Sequence, residues 1–115
     1  MYDFDKTKRL LGKAAFDEVF SNANRLTNAE FVILHKKNQY SHARLGLVIS
    51  KKKIAKASRR NQVKRLLRES FRLHPLPGID LIFLARHSLK NVHNADIFNH
   101  LEQAWDALTA FYSQH

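Results

Sequence analysis

The stretch Lys51–Arg72, KKKIAKASRRNQVKRLLRESFR, decides how the rest of the chain is read. It holds ten of the twenty Lys and Arg residues and one acid, Glu69. The remainder carries ten basic groups against nine acids. The formal charge of +10 therefore belongs to a near-neutral body bearing one concentrated cationic element. Such asymmetry asks for a polyanionic partner. Within the stretch, Val63, Leu66, Leu67 and Phe71 recur at helical spacing, with small Ser70 among them, and make one apolar face. Ser58 is the predicted N-cap. Pro75, Pro77 and Gly78 supply the stop. Lys64, Arg65, Arg68 and Arg72 fall on an adjoining arc about 100° wide, with Asn61 near its middle. Solvated helix faces normally mix signs so that charges can pair along the helix. Here only Glu69 can pair, so the arc reads as a face for anions. The amide of Asn61 suits contact with sugars, bases or hydrated ions.

Upstream, Phe31–Lys37 (FVILHKK) and Ala43–Ser50 (ARLGLVIS) read as strands. The polar turn Asn38–His42 between them predicts a hairpin. Gly46 weakens a strand interior and marks close backbone approach or a bulge. Arg25–Thr27 reads as a short edge strand. Downstream, Ile79–Ala85 (IDLIFLA) is nearly continuous in apolar residues and reads as an interior strand. Gly12–Asn22 reads as a short helix in which Phe16, Val19 and Phe20 share a face. By spacing alone such a stripe packs inward. Asn94–Tyr112 is the last helix, with Ile97, Leu101, Trp105, Leu108 and Tyr112 or Phe111 as its core stripe. Residues 1–9 read as a flexible arm. The order α-β-β-β-α-β-α describes one α+β domain over residues 1–115, a two-layer sandwich of helices on a mixed four-stranded sheet.

Composition narrows the function classes. The apolar fraction of 44% is ordinary for a globular chain, and there is no cysteine for a disulfide or thiolate metal site. No segment approaches the roughly 20 apolar residues of a membrane span. The N-terminus has no apolar core of a signal peptide. A cytoplasmic location is expected. A nuclease acting alone needs a base, metal carboxylates or a nucleophile. The acids Asp17, Glu18, Glu30, Asp80, Asp96, Glu102 and Asp106 are scattered. The seven histidines form no HExxH and no pair backed by acids, and read as exposed polar residues. No catalytic residue and no protein metal site is expected. A DNA-binding helix-turn-helix would need a short helix ahead of the basic one, where this chain has a strand and a lysine loop.

The same residues carry a resemblance. Arg60-Asn61, Lys64-Arg65, Arg68-Glu69 and Phe71-Arg72 resemble the RNR motif of the protein subunit of bacterial ribonuclease P. Arg44, Gly46, Leu47, Ser50, Lys51 and Lys52 resemble that family's strand and lysine loop, and Ala57 its small residue before the helix. The likeness extends to Phe16-x-x-Val19-Phe20, Phe31-Val32 and Ala85-Arg86, roughly from Leu10 to the last helix. The resemblance implies an endonuclease subunit that supports 5′ maturation of tRNA, with the hydrolysis done by a catalytic RNA and its Mg²⁺. It implies RNA-binding roles for Lys51, Lys52, Lys53, Lys56, Arg59, Arg60, Asn61, Lys64, Arg65 and Arg68, with Arg86 and Lys90 at the rim. It implies that Phe16 and Phe20, with Val32 and Leu34 on the sheet, hold the single-stranded leader of precursor tRNA. Relatives can carry an aromatic residue at the position of Leu34, which here is aliphatic. The implied partners are the RNA subunit and precursor tRNA, with no membrane and no obligate protein partner. The implied fold resembles the second domain of ribosomal protein S5, with a left-handed β-α-β crossover where about 98% of crossovers are right-handed. A ribosomal-type RNA-binding protein without a processing role shares the charge and size and is the alternative.

Overall fold

A computed structural model describes residues 9, 12–86, 89 and 91–114. The elements are α1 (Lys13–Asn22), β1 (Asn24–Thr27), β2 (Phe31–Lys37), β3 (Arg44–Val48), α2 (Ala57–Arg72), β4 (Ile79–Ala85) and α3 (Asn94–Gln114). Most of the expected arm lies outside the described residues. Arg9 makes an isolated bridge with Leu45.

The sheet order is β1-β2-β4-β3. Strand β4 pairs antiparallel with β2 and parallel with β3. It is buried on both faces, as its run of apolar residues requires. The expected hairpin between β2 and β3 is therefore wrong, because β4 is inserted between them. Two interstrand spacings are about 9.6 Å, which the 38–43 connection can bridge. That connection passes over the start of β4. A Cβ built on Gly78 would stand 2.0 Å from the Tyr40 carbonyl oxygen, so only glycine fits beneath the crossing chain. The Asn38 N–H donates to the Gly78 carbonyl at 2.9 Å and fixes it there.

Alternation along the strands sends two sets of side chains to two faces. Phe31 and Ile33, Ile79, Leu81 and Phe83, and Leu45 pack against α2 and α3. The helices answer with Val63, Leu67 and Phe71, and with Ile97, Leu101, Trp105 and Leu108. Burying each large apolar side chain contributes about 1.5–3 kcal/mol. Trp105 sits at the junction, its ring centroid 5.9 Å from Phe71 and 5.4 Å from Phe83. Its indole N–H donates to the fully buried Ser70 hydroxyl at 2.7 Å. That bond explains a small polar residue on the apolar face of α2. On the opposite sheet face α1 packs Val19 against Ile82, with Leu34 and Leu84 beside them.

Two local expectations are corrected. Helix α2 begins at Ala57 with Lys56 in the capping position, so Ser58 lies inside the first turn and no side chain caps the helix. The histidines are not all solvated. His35 is 3% exposed, with Nδ1 2.7 Å from the Tyr112 hydroxyl. It follows Phe31 and Ile33 on the core face of β2. Burial lowers the pKa of His35 and raises that of Tyr112. His100 Nδ1 donates to the buried carboxylate of Glu30 at 2.8 Å.

Candidate nucleic-acid interface

Helix α2 is held by its apolar face, and this orients the cations. Val63, Leu67, Ser70 and Phe71 are buried, while Asn61, Arg65 and Arg72 are exposed and Lys64 and Arg68 half-buried. The helix's one acid, Glu69, pairs with Arg72 at 2.9 Å. Ahead of the helix, the Ser50 carbonyl accepts from the N–H groups of Lys53 and Ile54 at 3.1 and 3.0 Å. This turn, anchored by buried Ile54, projects Lys51, Lys52 and Lys53 outward. Among the described residues, the side chains of Lys51, Lys52, Lys56, Lys64, Arg65 and Arg68 make no hydrogen bond or ion pair. Six cations thus lie along one loop and one helix face without an acid to answer them. The first turn of α2 adds peptide N–H groups that no side chain caps.

Other predicted contacts are engaged inside the protein. Arg59 places Nε on the Leu89 carbonyl, Nη1 on Gln62 Oε1 and Asn94 Oδ1, and Nη2 on the Leu89 and Val92 carbonyls, at 2.6–3.2 Å. A guanidinium has five N–H donors, and here all five are taken. Arg59 ties the β4–α3 loop to α2. Arg60 Nη1 donates to the Ile54 and Ala55 carbonyls at 2.9 and 3.0 Å, bracing the lysine loop against the helix start. Lys53 Nζ donates to the Arg86 carbonyl at 3.0 Å, and Arg86 Nη1 to the Asn28 carbonyl at 2.7 Å. Lys90 lies outside the described residues.

The aromatic set is brought together on α1. The rings of Phe16 and Phe20 stack with centroids 6.4 Å apart, and Phe20 is 48% exposed. Val32 and Leu34 lie on the same sheet face as α1, both half-buried. Phe16, Gly46 and Leu47 line a groove of about 210 Å³ with Arg9, Lys64 and Arg68. The aromatic helix and the basic helix therefore face each other across the β3 edge. Gly46, paired in register with Ile82, lies in the wall between them. This arrangement can stack bases on one side and neutralise phosphates on the other. His93 and His100 do not come together as a site: His100 is held by Glu30. Among the described residues no three His, Asp or Glu side chains gather as metal ligands, and no helix is long and apolar enough to cross a membrane.

A family model described as Ribonuclease P matches residues 4–109. The ribonuclease P protein component of Legionella pneumophila (strain Lens) is 47% identical over 114 residues, covering 99% of this chain and 100% of that protein. The component from Marinomonas sp. (strain MWYL1) is 44% identical over 110 residues, covering 93% and 83%. The solved RNase P protein of Staphylococcus aureus superposes with a TM-score of 0.78 at 32% identity, covering 85% of this chain and 92% of that one. That of Thermotoga maritima gives 0.73 at 32% identity, covering 84% and 94%.

Proposed function

This chain belongs to the ribonuclease P protein family, and from that premise we propose that it docks the catalytic RNA with one surface and the 5′ leader of precursor tRNA with another. The observation that carries the proposal is the set of six unanswered cations on the lysine loop and α2. Lysine supplies point charges there, and the planar forks of Arg65 and Arg68 suit bidentate contact with phosphate. The leader lies along Phe16 and Phe20, over Val32 and Leu34, because any base can stack on an aromatic face. Lys64 and Arg68, across the groove from Phe16, bring the RNA-docking surface up to the edge of the leader track.

The protein holds RNA and the RNA subunit cleaves it. The carboxylates of Glu18, Glu30, Glu69 and Asp80 are each tied to a basic side chain of this protein. None of these four is left free to act on a scissile phosphate. Mg²⁺ held by the RNA would supply the metal assistance to that hydrolysis. This chain's part is to neutralise phosphates, so that less Mg²⁺ is needed to fold and hold the RNA. Its place of work is the cytoplasm, where precursor tRNA is made. The ribosomal alternative has no finding in its favour.

Reconstitution tests this. The protein and ribonuclease P RNA, mixed at low Mg²⁺, should give 5′ maturation that neither gives alone; no stimulation at any protein concentration rejects the proposal. With about six phosphate contacts, log affinity for the RNA should fall with log salt at a slope of roughly −4 to −5.

A further inference from the structure

Helix α1 divides the sheet face on which it lies. Phe16 and Phe20 form one flank, and Glu18 projects roughly 180° away around the helix. On that far flank Glu18 pairs with Lys36. Lys36, Asp80 and Arg44 are cross-strand neighbours in the register, one row beyond Leu34, Ile82 and Gly46. They floor a second hollow of about 540 Å³, walled by Glu18, Lys37 and Tyr40. Its volume suits one small planar ligand.

The hollow is built and held. Asp80 accepts Arg44 Nε at 2.8 Å on one oxygen and Nη2 at 2.7 Å on the other. Asn38 Nδ2 donates to the same carboxylate at 2.8 Å, and Asn38 Oδ1 accepts the Tyr40 N–H at 2.8 Å. The fixed guanidinium lies 4.6 Å from the centre of the Tyr40 ring. Tyr40 nevertheless remains 45% exposed. Both acids of the hollow already have cationic partners, while Lys37 has none among the described residues. What faces outward is a rigid ring-and-guanidinium platform beside one unanswered positive charge.

We propose that this hollow is a second RNA site, taking a single unpaired nucleotide whose base stacks on the Tyr40–Arg44 platform and whose phosphate meets Lys37. Unstacked bases are held in this way on aromatic rings and arginine planes. The proposal rests on the reading that this chain docks RNA. Helix α1 stands between the hollow and Phe16 and Phe20, so the nucleotide is not one that those rings hold. It comes either from an unpaired loop of the RNA subunit or from the precursor tRNA.

Two affinities separate these sources: that of the protein for ribonuclease P RNA, and that of the assembled holoenzyme for precursor tRNA. Tyr40→Ala should weaken one of them by about tenfold, an ordinary loss for a base deprived of its stacking partner. A loss in the first assigns the nucleotide to the RNA subunit, and a loss only in the second assigns it to the substrate. Tyr40→Phe should keep the affinity, and Lys37→Ala should flatten the salt slope by about one. Arg65→Ala and Phe20→Ala run alongside as reporters of the underlying reading. If those two lose affinity while Tyr40→Ala stays within twofold in both assays with its melting temperature unchanged, the hollow is no RNA site. Equal losses for Tyr40→Phe and Tyr40→Ala would overturn the stacking contact. If neither reporter loses affinity, the RNA-docking reading falls and this proposal falls with it.

Discussion

Arg59 and Arg60 differ from Arg65 and Arg68 in surroundings rather than in chemistry. All four stand on α2 within ten residues. At about 100° per residue, 59 and 60 fall on the two borders of the buried face, whereas 65 and 68 fall on the open arc. At the borders a guanidinium meets loop carbonyls, and its donors are used up in holding the β4–α3 loop and the lysine loop. On the arc it finds no acceptor within the protein: Arg65 meets solvent, and Arg68 lines the groove beside Phe16 and Leu47. Helical phase therefore sorts one residue type into two jobs: bracing the fold and presenting charge. The arc depends on the braces, since the lysine loop is positioned by Arg60.

The strongest way to break this contrast is to strip the arc. Replacing Lys64, Arg65 and Arg68 together with Ala should lower affinity for ribonuclease P RNA by about a thousandfold, taking roughly 1.5 kcal/mol for each charge-assisted hydrogen bond. Exposed Arg65 should change stability by no more than about 0.5 kcal/mol, and half-buried Lys64 and Arg68 should add only the packing of their stems against the groove. Filter binding and a thermal melt on the same variant decide it. A large drop in melting temperature would show that the arc also braces the fold.

Arg59→Ala inverts the expectation. It leaves the Leu89 and Val92 carbonyls and Asn94 without their donor, at about 2–3 kcal/mol, visible as a fall in melting temperature on the order of 10 °C. The salt slope of RNA binding should stay as it was. A slope that drops by about one with stability intact would mean that Arg59 contacts phosphate after all.

The same division separates the two rings of α1. Phe20→Ala removes an exposed ring and should cost affinity for leader-bearing substrate by about 1–3 kcal/mol, with none lost for mature tRNA. Phe16 is half-buried against the sheet, so Phe16→Ala should lower stability as well. Equal losses for both tRNAs on Phe20→Ala would place that ring in the fold rather than at the leader.

What the sequence conveyed follows the reach of the interactions. Helix phases are local, so the apolar face of α2, its arc and the core stripe of α3 were all legible. Phase also places Arg59 and Arg60 at the borders of the buried face, where guanidinium donors reach loop carbonyls. The β2–β3 arrangement is not legible locally, because a short loop fits a hairpin as well as a connection over an inserted strand. The apolar character of Ile79–Ala85 already required neighbours on both sides of β4, and β2 and β3 were the strands available. His35 was legible in principle from its place two residues after Ile33 on a strand with a buried face. The partners of His100 and Asp80 were not, because both are set by contacts between residues far apart in the chain.

His35 carries the contrast between displayed and buried bases to its limit, and gives the smallest expected effect. Its ring is buried, packs edge-on against Phe111 and Tyr112 with centroids 5.3 and 5.5 Å away, and is uncharged in the fold because burial holds its pKa below the usual 6.5. The unfolded chain titrates near 6.5, so below that pH it binds more protons than the folded one. The stabilisation is fully present above pH 6.5 and is lost as the pH falls through the lowered folded value. The difference in melting temperature between the parent and His35→Phe should therefore shift against the parent as the pH is taken from 7.5 to 5. The parent's imidazole must take up a proton to unfold in acid, and the variant has none to protonate. A difference that stays flat over that range, or an NMR titration placing His35 at or above 6.5, would show a base that is charged inside the fold, and the sorting of bases by burial would then fail at its most buried member.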